Sequence, residues 1–254
     1  FNKWMLPIGL ILLFLTGVGP LLAWRKSTLA NLRDQFLWAA LGFAAAGAGL
    51  AALGIPFWPA GLCFALCAFV GVTIVQEFVR GAEVRRQATG TDYLTAMIGL
   101  VARSKRRYGG YIVHLGIVLM FVGFAGEAFK VDEQVLLKPG EQSQVGKYVV
   151  RNDGVRVTDD GQKQMITAHV AVLRDGKEID KAYPGRWYYR KHEQEPVSQV
   201  AIRRGAAEDL YIVLPGFDLE TQSATLQVVV NPLVNWNWVG FGILAFGTMI
   251  ALLP

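Results

Sequence analysis

The chain has 254 residues, 53% of them hydrophobic, with a mean hydropathy of +0.34, too apolar for an ordinary soluble domain. The net charge of +5 does not point to nucleic acid, because residues 130–230 hold 14 Lys/Arg against 15 Asp/Glu and are nearly neutral. The basic excess lies instead in short connections between apolar runs, where it reports membrane orientation.

A spanning helix needs about 20 apolar residues to cross about 30 Å of hydrocarbon, and five segments meet that length. They run from about Met5 to Trp24, Phe36 to Ile55, Phe57 to Val79, Gly110 to Phe129, and from Leu233 onward. The second is rich in small residues, which allow close helix packing in lipid. Trp24, Trp38, Trp58, Trp236 and Trp238 fall near span ends, as an aromatic belt places them. The first connection, 25–34, carries Arg25, Lys26 and Arg33, and the third, 80–107, carries Arg80, Arg85, Arg86, Arg103, Lys105, Arg106 and Arg107. The positive-inside rule makes both cytoplasmic loops and puts 130–230 on the outer, periplasmic face. Within 80–107, Tyr93, Leu94, Met97, Ile98, Leu100 and Val101 recur at roughly helical spacing. They predict either a short amphipathic helix on the membrane surface or a solvated basic loop that only sets topology.

The outer segment reads as short strands at Glu133–Lys138, Val145–Arg151, Gly154–Thr158, Met165–Leu173, Gln199–Arg203, Leu210–Leu214 and Thr225–Val230. Asp175-Gly176 is a strong hairpin signal. The expected architecture is an integral membrane α-helical bundle of five spans with one inserted all-β domain, a small barrel or sandwich. Residues 1–129 would supply four spans, 130–230 the β-domain, and 231–254 a fifth span cut short. The sequence begins at Phe1 without a Met and stops inside an apolar run, so it is expected to be a piece of a longer protein.

His114 lies in the fourth span, about one helical turn in from the basic connection. An ionisable side chain inside a membrane is expensive and normally has a partner or a task. Neutral imidazole is a common metal ligand and a frequent axial ligand of haem iron. The readings are therefore a ligand or proton relay on one side and a helix–helix hydrogen bond on the other. No other span holds a histidine, so a bis-histidine haem would need its second ligand from elsewhere. Glu77 is three residues from Arg80, within pairing distance on a helix; alternatively Arg80, Arg106 or Arg107 meets the propionates of a cofactor near His114. Cys63 and Cys67 are four apart, neither a C-x-x-C pair nor a complete metal site, and read as packing residues. His169 and His192 read as surface residues.

The stretch Arg106-Arg-Tyr-Gly-Gly-Tyr-Ile-Val-His-Leu-Gly resembles the histidine-bearing span of the CcmF family, the haem lyase component of bacterial cytochrome c maturation. Gly17-Val-Gly-Pro-Leu-Leu-Ala-Trp-Arg-Lys resembles the end of an earlier span of that family. Tyr183-Pro-Gly-Arg-Trp-Tyr-Tyr, Glu195-Pro, Val200-Ala-Ile-Arg and Glu208-Asp-Leu-Tyr resemble its periplasmic domain, and Asn231-Pro-Leu-Val-Asn-Trp-Asn-Trp-Val-Gly the start of its next span. The resemblance implies an inner-membrane subunit taking part in haem delivery and thioether attachment to apocytochrome c. It implies His114 as one axial ligand of a b-type haem. Implied partners are the N-terminal half of the same protein, haem-bearing CcmE, CcmH and apocytochrome c. The family's tryptophan-rich haem-docking loop, its flanking histidines and its first span histidine have no counterpart in this sequence, so this portion alone is not expected to catalyse. The other reading is a non-catalytic assembly module whose β-domain docks maturation partners.

Overall fold

The computed structural model describes residues 2–21, 29–191 and 194–253, which form two compact units. One comprises Phe1–Ala128 with Trp236–Pro254, the other Phe129–Asn235. Arg25, Lys26 and His192 lie outside the described residues.

The first unit is helical: α1 Asn2–Leu21, α2 Leu29–Ala52, α3 Leu62–Thr89, α4 Tyr93–Arg103, α5 Lys105–Ala125 and α6 Asn235–Leu252. A single wide turn, Phe57–Gly61, leads into α3. α3 is central and packs against α1, α2, α4 and α5, and its inward face carries Ala65, Phe69, Val70 and Ile74. α5 and α6 meet backbone to backbone. A Cβ on Gly116 would lie 2.6 Å from Gly240 O and from Leu244 N, and one on Gly109 2.9 Å from Gly247 O. Glycines repeating every seven residues on both helices thus let them close, as small residues do in lipid.

Two helical stretches, Phe57–Thr89 and Lys105–Phe129, are long and apolar enough to cross a membrane. The apolar helices at Lys3–Gly19 and Phe36–Ala52 are shorter within the described residues. The expectation of five spans is therefore met outright by two.

The segment 80–107, expected as a connecting loop, is mostly helical. α3 continues through Arg80, Arg85 and Arg86 to Thr89. It stops at Gly90, which takes φ +67° and donates its N–H to Arg86 O at 2.8 Å, an ending glycine adopts without steric cost. Asp92 then caps α4, accepting from Thr95 N at 3.0 Å. Hydrogen bonds from the Thr95 side chain and then from its N–H hold the Asp92 carboxyl below the usual range. Of the two readings of 93–103, the helix is the one that forms.

The second unit is a β-sandwich of two antiparallel sheets. Its strands are β1 Val131–Leu137, β2 Gln142–Val145, β3 Tyr148–Asp159, β4 Lys163–Arg174, β5 Lys177–Ala182, β6 Gly185–Tyr189, β7 Val197–Gln199, β8 Ala201–Arg203, β9 Glu208–Asp218 and β10 Ser223–Pro232. One sheet runs β1-β10-β9-β8 and the other β2-β3-β4-β6-β7, with β5 also on β4. Alternation sends Val150, Ile166, Val170 and Val172 from one sheet and Leu210, Ile212, Leu226 and Val228 from the other into a shared core. The expected turn at Asp175-Gly176 is present, with φ of 53° and 75°.

Where β3 bulges between Asn152 and Val155, the buried Asn152 amide donates to Leu137 O at 2.9 Å and Gln222 O at 3.1 Å. Its carbonyl accepts from Gly154 N at 2.9 Å, joining β3 to the opposite sheet. β5 and β6 had no counterpart among the expected strands. β5 reads KEIDKA, too polar to alternate visibly, and β6 gains its strand identity by pairing with β4.

Candidate functional site

α5 lies against α3 in antiparallel register, tied at both ends. At one end the thiols of Cys63 and Cys67 reach Phe121 O and Val118 O, both at 3.6 Å. At the other end Glu77, only 5% exposed, is matched from across the helix pair. Arg107 Nη2 sits 2.5 Å from Glu77 Oε2, and Tyr111 donates its hydroxyl to the same oxygen at 3.0 Å. Arg107 Nε donates to Tyr111 Oη at 3.1 Å, so the three side chains close a ring of hydrogen bonds. Arg80 Nη1 stands farther off, 3.9 Å from Glu77 Oε1.

The expected local pair Glu77–Arg80 therefore exists, but the tighter partner comes from α5. A carboxylate carried into an apolar helix pair needs such matching charge and hydrogen bonds. Beside it the Phe78, Tyr108 and Tyr111 rings pack on one another at centroid distances of 5.1 to 6.2 Å, and the Arg107 guanidinium lies 5.7 Å from the Tyr108 ring. Gly81 admits Tyr108, since a Cβ there would collide with the phenol hydroxyl.

His114 lies between the two tie points, one turn beyond Tyr111 on the face that also carries Arg107 and Val118. The side chains that α3 buries at this level are Val70, Thr73 and Ile74, and the Thr73 hydroxyl is spent on Phe69 O at 2.9 Å. The imidazole is half-buried and its Nδ1 is enclosed with no hydrogen-bond partner among the described residues. Leaving a buried polar atom unmatched costs about 1–3 kcal/mol, so the ring's orientation calls for an explanation.

Among the described residues no group of three or more His, Cys, Asp or Glu could hold a metal ion. His114 is therefore a lone donor here, which does not by itself make a metal centre. Of the basic residues expected near such a cofactor, Arg107 and Arg80 gather at Glu77, while Arg106 is exposed and outside that cluster.

Tyr111 had been part of the motif without a role. Its position four residues after Arg107 was the available signal, since that spacing puts both on one face. In the β-domain, His169 packs edge-on against Tyr183 at 5.1 Å. Burial, and then the nearby Arg156, push its imidazole below the usual histidine value. The domain also has a pocket of about 390 Å³ lined by Asp159, Gln164, Tyr188 and Arg190, where Arg190 and Asp159 pair at 3.1 Å.

Residues 128–232 match the family described as CcmF C-terminal beta-sandwich. The chain is 25% identical to the cytochrome c-type biogenesis protein CcmF of Haemophilus influenzae, over 98% of this chain and 37% of the relative. It is 26% identical to the protein of the same name from Pseudomonas aeruginosa, over 100% of this chain and 37% of the relative. A solved structure titled Cytochrome c Heme Lyase CcmF superposes with a TM-score of 0.79 at 26% identity, covering 100% of this chain and 40% of that one. The chain thus spans about two fifths of the length of these relatives. Residues 128–232 match the CcmF C-terminal beta-sandwich family, and the chain as a whole is similar to the CcmF proteins along nearly all of its length.

Proposed function

We propose that the chain acts in cytochrome c maturation as a haem-binding membrane portion, with His114 as one axial ligand of a b-type haem. The observation that carries this is the enclosed, unpartnered imidazole between two firmly tied ends of α3 and α5. The ties fix where the ring sits, and among the described residues its Nδ1 has no hydrogen-bond partner. The relatives' names supply the chemistry: they belong to cytochrome c biogenesis, and the solved one is a haem lyase. When bound, the haem supplies one-electron chemistry. The protein's own part is to present a neutral imidazole, to exclude water through α3 and α5, and to keep Glu77 and Arg107 paired so that neither charge reaches the ligand.

The second axial histidine and the loop for haem attachment belong to the remainder of the longer protein. In this reading five helices cross the inner membrane, 130–230 faces the periplasm, and haem-bearing CcmE, CcmH and apocytochrome c meet the assembled protein there. Arg80 and Arg106 are the candidates for propionate contacts, since Arg107 is committed to Glu77 and Tyr111. That the sandwich is a compact unit with its own core favours a second contribution, as a docking module for those partners.

The test is pyridine haemochrome quantification and absorption spectroscopy of the chain purified with its N-terminal complement, wild type against His114→Ala. Loss of a bis-histidine b-type spectrum in the variant is expected; an unchanged spectrum would return His114 to helix packing.

A further inference from the structure

α4 is apolar around more of its circumference than its packing uses. Its inward side, with Ala96 fully buried and Leu100 beside it, lies against α3 near Gly81. A different side carries Leu94, 68% exposed, and Ile98, 64% exposed, one turn apart, with Met97 and Val101 on its flank. The polar side adjoins this flank, Thr95 lying one turn before Ile98 and Arg103 farthest round from it. It holds Thr95, Gly99 and Arg103, and the Arg85 guanidinium is laid across Gly99, where a Cβ would lie 2.5 Å from Arg85 Nε.

The charge around this helix is one-sided. Residues 80–107 hold seven Lys/Arg against Glu83 and Asp92, and Glu83 is already paired with Arg86 at 3.3 Å. The helix is also held at a membrane boundary by covalent connection. Only Ser104 separates it from α5, and three residues separate it from α3, the two elements long and apolar enough to cross. Its 11 residues span about 16 Å at 1.5 Å per residue, too short to cross themselves. A helix with an apolar flank, cationic residues on the other and a fixed place beside two spans has the design of an element lying in the headgroup layer.

We propose that α4 is an interfacial helix whose Leu94/Ile98 flank dips into the acyl boundary of an anionic leaflet, while Arg85, Arg103 and Arg106 engage the headgroup phosphates. This rests on α3 and α5 crossing the membrane, and the experiment checks that separately. Nitroxide labels are placed at Ile98→Cys, Arg103→Cys and Val75→Cys, each in a Cys63→Ala/Cys67→Ala background. The chain is reconstituted in nanodiscs of phosphatidylcholine with or without phosphatidylglycerol. Collision rates with oxygen and with a neutral water-soluble nickel chelate are then compared.

Val75, 60% exposed on α3, reports the span: oxygen preferred in both lipids supports it, and chelate preferred refutes it independently of α4. With phosphatidylglycerol, the oxygen-to-chelate ratio at Ile98 is expected several-fold above that at Arg103, and to fall when the anionic lipid is omitted. Equal chelate access at Ile98 and Arg103 would overturn the proposal. So would a label at Ile98 shielded from both probes, which would mean protein covers that flank, or a ratio indifferent to phosphatidylglycerol.

Discussion

Asn152 in the sandwich and His114 in the helical unit both carry polar atoms into apolar surroundings, and the protein treats them in opposite ways. Asn152 is fully buried, and its amide makes three hydrogen bonds, all within its own domain. Asp209, 3% exposed, is similarly met: its Oδ1 accepts from Gly205 N at 3.1 Å and Asn235 Nδ2 at 2.8 Å. His114 keeps an enclosed nitrogen with no partner among the described residues, although the same helix pair goes to some length to match Glu77. A buried polar group whose partners are all at hand is a joint of the fold. One left open between well-tied neighbours needs another explanation, and the ligand role proposed for His114 is one.

The largest effect that bears on this contrast comes from breaking the joint. Asn152→Ala removes three hydrogen bonds and strands Leu137 O, Gln222 O and Gly154 N. A loss on the order of 3 kcal/mol is expected, read as faster hydrogen exchange of β3 and β10 amides. Unchanged protection would mean that the amide is not a joint.

Glu77→Gln comes next. It leaves Arg107 without its carboxylate, but the Arg107 side chain is 60% exposed and water screens the loss. The cost should be about 1–2 kcal/mol, measured by thermal unfolding in detergent. A neutral or stabilising result would show that the α3–α5 tie does not rest on this charge.

The smallest effect is pH-dependent. The Lys163 side chain, at 2.9 Å, and the N–H groups of Gln162 and Lys163 hold the Asp160 carboxyl down to about 2. The ordinary value is about 3.9. A depressed carboxyl stabilises the fold above its unfolded value, and that contribution is lost as pH falls from about 4 toward 2. Asp160→Asn should lower the melting temperature slightly above pH 5, with the two profiles converging as pH falls toward 2.

Local chemistry made part of this molecule readable from sequence. Asp175-Gly176 predicts its hairpin because the turn conformation is a property of those two residues, and His114 stands out because an ionisable residue in an apolar span has few reasons to be there. Arg80, Arg85 and Arg86 end the apolar run and predict a shorter α3, yet the helix continues until Gly90 provides the stop. Long-range pairing was out of reach. β6 becomes a strand through β4, and Glu77 finds Arg107 thirty residues away, where a local rule offers only Arg80. The cofactor reading came from a motif's resemblance; the orphaned Nδ1 is what the structure adds.

The most direct test of His114 as a ligand is chemical rescue. In His114→Gly, purified with the N-terminal complement and haem, the bis-histidine spectrum should be lost and should return when free imidazole is added, as the small base takes the vacated place on the iron. A spectrum that persists without imidazole, or one that imidazole leaves unaltered after the loss, would contradict the ligand role.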